Sequence, residues 1–258
     1  MNQKTLKKIA KESYKKIVNT KKTKFYFEKP FKHFYIDNFF SESFANKLLD
    51  SFPSLNSNNW DISNDPDIEV KMRSNWNSEF DIPENIVDCV RLMNSSYFLK
   101  AISDVFGIPK LIPDPYFSGG GLNVTVSGGL LDVHIDGNYH DASGLHRRVN
   151  AILYLNPGWK EEWGGEFGLY DRNGEKLEKK IAPLHNRIMM FDTNDFSFHG
   201  LPDPIKFPTG HARRSIILYY YTKEPRPTKD TNISKPHSAL WKKRGWHDKK
   251  GKQTRDFH

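Results

Sequence analysis

The chain has 258 residues, enough for one large domain with a substantial buried core. Its 39 Lys and Arg against 31 Asp and Glu leave a net charge of +8, and a single cysteine, Cys89, excludes an intramolecular disulfide and points to a reducing compartment. The first residues run into lysines with no apolar leader, and no apolar run approaches the ~18 residues of a membrane span. A soluble, cytoplasmic protein without a transmembrane segment is expected, and nothing in the sequence specifies an oligomeric state.

The excess charge sits at the two ends. Lys4, Lys7, Lys8, Lys11, Lys15, Lys16, Lys21, Lys22 and Lys24 crowd the start, and Lys242, Lys243, Arg244, Lys249, Lys250, Lys252 and Arg255 crowd the finish. The middle is close to balanced, so nucleic acid is not the expected partner. The basic ends read first as solvated extensions and second as a contact for an anionic partner.

Residues 1–28 form a basic extension, with Leu6, Ile9, Ala10, Ser13, Tyr14 and Ile17 at helical spacing over 3–19 and lysines on the other face. Such a helix can lie on an anionic membrane surface, but docking onto the body of the protein is the favoured reading. Residues 29–224 read as one domain, a helical layer over 29–115 and a β core over 116–224. In the layer, Phe31–Ile36 reads as a strand, and Ser41 caps a helix carrying Phe44, Leu48 and Leu49. The Ser-, Asn- and Asp-rich stretch 56–67 reads as a loop. Ile86 to Phe106 forms one or two helices, ended by Gly107 and Pro109.

From Tyr116 onward the texture changes to short alternating runs between turn residues. Candidate strands are 122–127, 130–135, 149–155, 165–170, 178–182, 187–191, 196–199 and 213–222, a pattern of sandwiches and barrels. With 18 Phe, 11 Tyr and 6 Trp, there is ample aromatic volume to fill a barrel interior or line a cleft. Residues 225–258 read as a Pro-containing basic tail.

Within the β region, His134-Ile135-Asp136 is followed at a distance by His199 and then by Arg213-Arg214-Ser215. Alternation along a strand puts His134 and Asp136 on one face and Ile135 on the other, so the two polar side chains can share an ion. A second histidine completes the two-histidine, one-carboxylate facial set that holds Fe(II) with open positions, although Zn(II), Mn(II) and Co(II) accept the same donors. His140 is the substitute ligand to consider, but Gly137-Asn138-Tyr139 reads as a loop leaving the site. His146, His185 and His211 read as loop residues.

The blocks Leu131–Asp136, Asn150–Asn156, Trp163–Phe167, Asn186–Phe191, Phe198–Gly200 and Arg213–Tyr221 resemble, in order, the 2-oxoglutarate- and Fe(II)-dependent dioxygenases, specifically their prolyl-4-hydroxylase-like branch. Phe31 to Pro53 is similar to the lead-in of the same branch. The resemblance implies a mainly β fold with α, a double-stranded β-helix (a jelly-roll, cupin-like barrel) under an N-terminal helical layer. It implies Fe(II) on His134, Asp136 and His199, with 2-oxoglutarate and O2 as co-substrates and ascorbate in a supporting role. The keto acid would chelate the iron, with its far carboxylate on a basic anchor.

The family pattern sets that anchor two positions before a small residue. Ser215 selects Arg213 over Arg214, and strand alternation agrees, since Arg213, Ser215, Ile217 and Tyr219 then face inward. Arginine pairs with a carboxylate through two parallel hydrogen bonds. Tyr154 matches a family tyrosine that meets the same carboxylate, with a core role as its other reading, and Ser215 can add a hydroxyl. Asn123 and Asn150 fall on strands near the site.

The expected reaction is hydroxylation of an unactivated C–H bond of a small molecule, amino acid or peptidyl side chain. Asp136 favours hydroxylation over halogenation, which needs that ligand position vacated. Tyr219 stands where nucleic-acid demethylases of the superfamily carry a second arginine. Val126 and Leu131 stand where prolyl hydroxylases carry tyrosines, which weakens a peptidyl-proline assignment. The alternatives are a non-catalytic barrel and a zinc or manganese cupin-type module, binding or hydrolytic. Both fit poorly with an intact triad followed by Arg213-x-Ser215. Asn138, Tyr139 and Arg148, with Arg147 and Trp159, are candidate substrate contacts, and the 56–80 and 137–145 segments are candidate entrance loops.

Overall fold

The computed structural model describes residues 1–249 apart from Asn75, Asn77 and Ser234. Its first helix, Gln3–Asn19, starts where the Asn2 side chain accepts the Thr5 N–H, and it buries Ala10, Ser13 and Ile17. That face packs against a helix at Ser96–Phe106, capped by Ser95 and stopped by Gly107 in the left-handed conformation. Helices Glu42–Asp50, capped by Ser41, and Glu84–Met93 complete the layer. Among the described residues no helix is long and apolar enough to cross a membrane.

The strands form a curled antiparallel sheet, a double-stranded β-helix. Its hydrogen-bonded order is Tyr26–Phe27, His33–Ile36, Arg187–Asp192, His146–Tyr154, Arg213–Thr222, Gly121–Thr125, Glu69–Ser74, Leu130–Ile135, His199–Leu201, Phe167–Tyr170 and Leu177–Ile181. Alternation splits the apolar side chains between two cores. Leu153, Ile188, Met190, Ile216 and Leu218 face the helices, together with Phe34, Phe98 and Ile102. Ile152, Tyr154, Phe167, Leu169, Met189, Phe191 and Leu201 fill the barrel interior, in contact with Ile217.

Apart from shifted strand ends, such as the strand expected at 149–155 that begins already at His146, read as a loop residue, the structure departs from the sequence reading in three places. Residues 56–67 are not all loop: Trp60–Asp65 is a strand paired with Glu69–Ser74, whose other edge bridges Gly121–Thr125 and Leu130–Ile135. The outer strand of this hairpin is mostly solvated, so it keeps a polar, loop-like composition. The layer over 29–115 thus supplies strands as well as helices. The predicted strand 196–199 begins instead at His199 and runs to Leu201, because Asn194 and Ser197 close a turn through mutual side-chain and backbone bonds.

The third departure is the tail. Up to Lys249 it is docked on the barrel, with Leu240–Trp241 pairing to Ile135 and His134. Lys250, Lys252 and Arg255 lie outside the described residues.

Ile17→Ala removes a fully buried side chain and should cost roughly 2–5 kcal/mol in denaturant unfolding, whereas Lys8→Ala on the exposed face should change the midpoint little. His33 sits fully buried, and burial first and Lys179 second hold its imidazole down to about 4 from an ordinary 6.5. The unfolded chain therefore takes up this proton first, and stability present above pH 6.5 drains away as pH falls toward 4. His33→Leu should lose less stability than the parent over that window in urea titrations.

Candidate metal centre

Strand pairing places His134 directly opposite His199. Their rings lie 4.2 Å apart, and the Nε2 atom of each is 3.9 Å from Asp136 Oδ1. One donor atom from each of His134, Asp136 and His199 falls within 4.8 Å of the others, and all three side chains are buried. His134 and Asp136 share a face by alternation, while Ile135 turns to a separate apolar cluster with Val133, Phe198 and Leu240.

The hydrogen bonds select the tautomers. His134 Nδ1 is 2.9 Å from Asp132 O and His199 Nδ1 is 2.8 Å from Ser197 O. A carbonyl only accepts, so each Nδ1 carries the proton and each Nε2 presents a lone pair to the centre. Burial, with the neighbouring His199 second, pulls His134 down to about 3, and burial also lowers His199. Both rings are therefore neutral at physiological pH, the form that binds metal.

Burial alone would raise the Asp136 carboxyl, but His199, Arg147, His134 and an Asn150 hydrogen bond together hold it below its ordinary value. Asn150 Nδ2 donates to Asp136 Oδ2 at 3.1 Å and turns Oδ1 toward the histidines; Arg147 Nη1 stands 3.7 Å from Oδ1. The donor set of two neutral imidazoles and one carboxylate, with no fourth protein ligand among the described residues, fits an octahedral ion that keeps positions open.

Arg213 lies at another level of the barrel, beside Tyr154. It is 6% exposed, its Nε donates to Gly165 O at 2.7 Å, and its guanidinium carbon is 5.0 Å from the Tyr154 ring. Gly165 has φ +84°, and a Cβ there would meet Arg213 Cδ at 3.1 Å, so this close approach needs glycine. Burial pushes the guanidinium below its ordinary value, and Tyr154 is the group that supports its charge; no carboxylate among the described residues does so. Ser215, paired across the strands with Tyr154, has a buried hydroxyl without a hydrogen-bond partner. A buried cation beside an unsatisfied hydroxyl fits an incoming carboxylate. Arg214 is only half-buried, and its Nη1 donates to the carbonyl of Ala212, two residues back, at 3.5 Å.

The candidate substrate contacts divide. Tyr139 lines the cavity of about 760 Å³ over the triad, with Arg147, Tyr219 and Tyr221. Asn138 does not serve there: its Nδ2 donates to Lys235 O and its Oδ1 accepts from His237 N, so it clamps the tail. Arg148 also points elsewhere, toward Asp192 and Arg226. The ladder slips where Tyr220 pairs with Val149 and Tyr221 with Arg147, which makes Arg148 the extra residue of a bulge and leaves Arg147 on the metal face. Arg147 then stacks 3.9 Å over Tyr219. His140 binds Asp114 Oδ1 at 3.0 Å, away from the triad. Trp159 donates to Gly164 O.

Asn150 was visible as a strand residue, and its parity with Ile152 and Tyr154 was the available signal for its role. No local signal marked the bulge or Trp241, whose indole stacks on His134 at 4.5 Å.

Residues 120–221 match the model of the 2OG-Fe(II) oxygenase superfamily. Curated relatives include the prolyl 3-hydroxylase OGFOD1 of Mus musculus, 28% identical over 115 residues, and that of Xenopus laevis, 29% identical over 106 residues. These alignments cover 40% and 38% of this chain, but the chain spans only about a fifth of the relatives' length (21% and 20%). Similar solved structures include a Trichoplax adhaerens prolyl hydroxylase in complex with a hypoxia-inducible-factor peptide fragment, with TM-score 0.54, 19% identity, and coverage of 86% of this chain and 94% of that one. A Pseudomonas putida prolyl-4-hydroxylase gives TM-score 0.57 and 14% identity, with coverage of 82% and 100%. These two show a shared fold.

Asn150→Ala frees Asp136 to rotate and should weaken Mn(II) or Co(II) binding by ~10-fold or more in calorimetric titration, the scale seen when partners behind a metal ligand are lost. Arg148→Ala, outside the metal face, should leave that affinity within about twofold of the parent.

Proposed function

We propose that the chain is an Fe(II)- and 2-oxoglutarate-dependent hydroxylase acting on a C–H bond of a peptidyl side chain. The observation that carries this reading is the pairing of two sites in one barrel: a His134/Asp136/His199 triad and, at another level, the buried Arg213 with no carboxylate partner among the described residues. A buried cation beside a partnerless Ser215 hydroxyl is matched by the far carboxylate of a dicarboxylic keto acid. The peptidyl substrate class is supported by the names of the relatives, prolyl hydroxylases, and by the peptide held in the Trichoplax adhaerens structure.

The roles follow from position. His134, Asp136 and His199 would hold the iron on one side. Arg213, Ser215 and Tyr154 would receive the far carboxylate of 2-oxoglutarate, the arginine through its planar fork. When bound, the iron couples splitting of O2 to oxidative decarboxylation of 2-oxoglutarate, one oxygen atom going to succinate with release of CO2 and the other into the substrate C–H bond. The protein keeps this chemistry dry and aimed. Phe191 and Phe167 pack around His199 at 4.8 and 5.1 Å, and Asn150 fixes the carboxylate rotamer.

Oxygen-dependent conversion of 2-oxoglutarate to succinate should be measurable with the purified protein and Fe(II), with ascorbate as reductant, and should rise with a peptide substrate. His134→Ala and Asp136→Ala should abolish it; full turnover in both variants would sink the assignment. Arg213→Ala should raise the 2-oxoglutarate concentration at half-maximal rate about tenfold to a hundredfold, the loss of a charge-assisted pair, while Arg214→Ala should change it little.

A further inference from the structure

The residues after the barrel cross over the metal centre and are held there by buried polar groups. Arg226 Nη1 donates to Asp195 Oδ1 at 2.8 Å, and Asp195 Oδ2 accepts the backbone N–H groups of Asn232 and Ile233 at 2.6 and 2.8 Å. Asp195 is fully buried, so this is a solvent-shielded latch rather than a surface ion pair. Further along, Asn138 clamps Lys235 O and His237 N with its side chain and donates its backbone N–H to His237 O. Gly137 permits this approach, since a Cβ there would meet His237 O at 2.8 Å. The Lys243 N–H then donates to Asp132 Oδ2 at 2.8 Å, on the ligand strand itself.

Between the Asn138 clamp and the Lys243–Asp132 bond, Trp241 is delivered onto the metal site. It pairs in register with His134, is 3% exposed, and lays its indole on the imidazole at 4.5 Å with 25° between the ring planes. The same imidazole is tied at its edge by Nδ1–H to Asp132 O. An edge bond leaves the ring free to tip about that contact, and a flat partner on its face removes the remaining freedom. His199 is packed differently, by Phe167 and Phe191 from within the barrel. The C-terminal segment thus supplies an aromatic packing partner to His134.

We propose that Trp241 is a positioning residue for the His134 ligand and that the C-terminal strap 235–249 is therefore a working part of the metal centre. This rests on the reading of His134, Asp136 and His199 as metal ligands. The strap also walls the cavity over the triad through Pro236, His237, Ala239 and Trp241. The aim of one ligand thereby depends on a segment that lies far from the triad in sequence.

The test uses the full chain, freed of metal and titrated with Co(II) alone by calorimetry and by the visible absorption of the bound ion. Trp241→Ala should weaken Co(II) binding about tenfold and alter the absorption bands, whereas Trp241→Phe, which keeps an aromatic face, should restore both to within about twofold of the parent. Circular dichroism checks that each variant is folded, and if the alanine variant does not fold, Trp241→Leu carries the same expectation. Unchanged Co(II) affinity and spectrum in a folded Trp241→Ala or Trp241→Leu protein would overturn the inference. His134→Ala separates the two levels: loss of Co(II) binding there upholds the ligand assignment whatever Trp241 does, and retained binding removes the assignment and the inference together.

Discussion

Two imidazoles held neutral, opposite one another on adjacent antiparallel strands, are the constraint around which the barrel is arranged. Their Nδ1 protons are committed to the carbonyls of Asp132 and Ser197, each two residues back along the chain, so the lone pairs converge on Asp136. Neutrality follows from burial, which penalises the charged form of both rings. The carboxylate faces the opposite problem. It must stay ionised where burial disfavours charge, and with the imidazoles neutral the Arg147 guanidinium and the Asn150 hydrogen bond supply the compensation. Ligand geometry, protonation state and barrel burial are thus one interlocked condition.

The same strands carry a second polar site at another depth. Along Arg213–Thr222, alternate residues face inward, and Ser215 and Tyr219 stand two inward steps apart, about 13 Å along the strand. Ser215 belongs to the Arg213 level and Tyr219 to the Arg147 and Asp136 level, with Ile217 between them in the apolar interior. An apolar layer separating two polar ones suits a ligand with a polar group at each end. It also explains why the bulge at Arg148 matters: without that slip the polar face of the His146–Tyr154 strand would carry Arg148, not Arg147, to the metal.

The helical layer and the C-terminal strap brace this barrel from opposite directions. The first helix buries Ile17 and Ala10 against Ser96–Phe106, which in turn packs on the outer face of the sheet, and its lysines stay outside. The strap braces the other side, where the latch of Arg226 on Asp195 holds the chain before it reaches Trp241. Basic residues of the strap find acidic partners on the Trp60–Ser74 hairpin: Arg244 pairs with Asp65, and Lys249 with Glu69. Part of the positive charge at the C-terminal end is therefore neutralised internally.

Much of this was legible from the chain alone. The shared face of His134 and Asp136, the inward phase of Arg213 and Ser215, the run of short strands and the helical layer follow from short-range rules: alternation along a strand, spacing along a helix, capping and turn residues. The completed triad with His199, the place of Tyr154 and the barrel type came through the resemblance to the 2-oxoglutarate-dependent dioxygenases. What depended on tertiary structure has a common physical character. The polar hairpin at Trp60–Ser74 looked like a loop because an exposed edge strand needs little apolar content. The exchange of Arg148 for Arg147 came from a one-residue slip in pairing, which no local pattern encodes. Asn138 and the tail changed roles because their partners lie ~100 residues away in the chain. Local chemistry chose the ligands; only the folded chain, by bringing distant segments into register, decided what holds them in place.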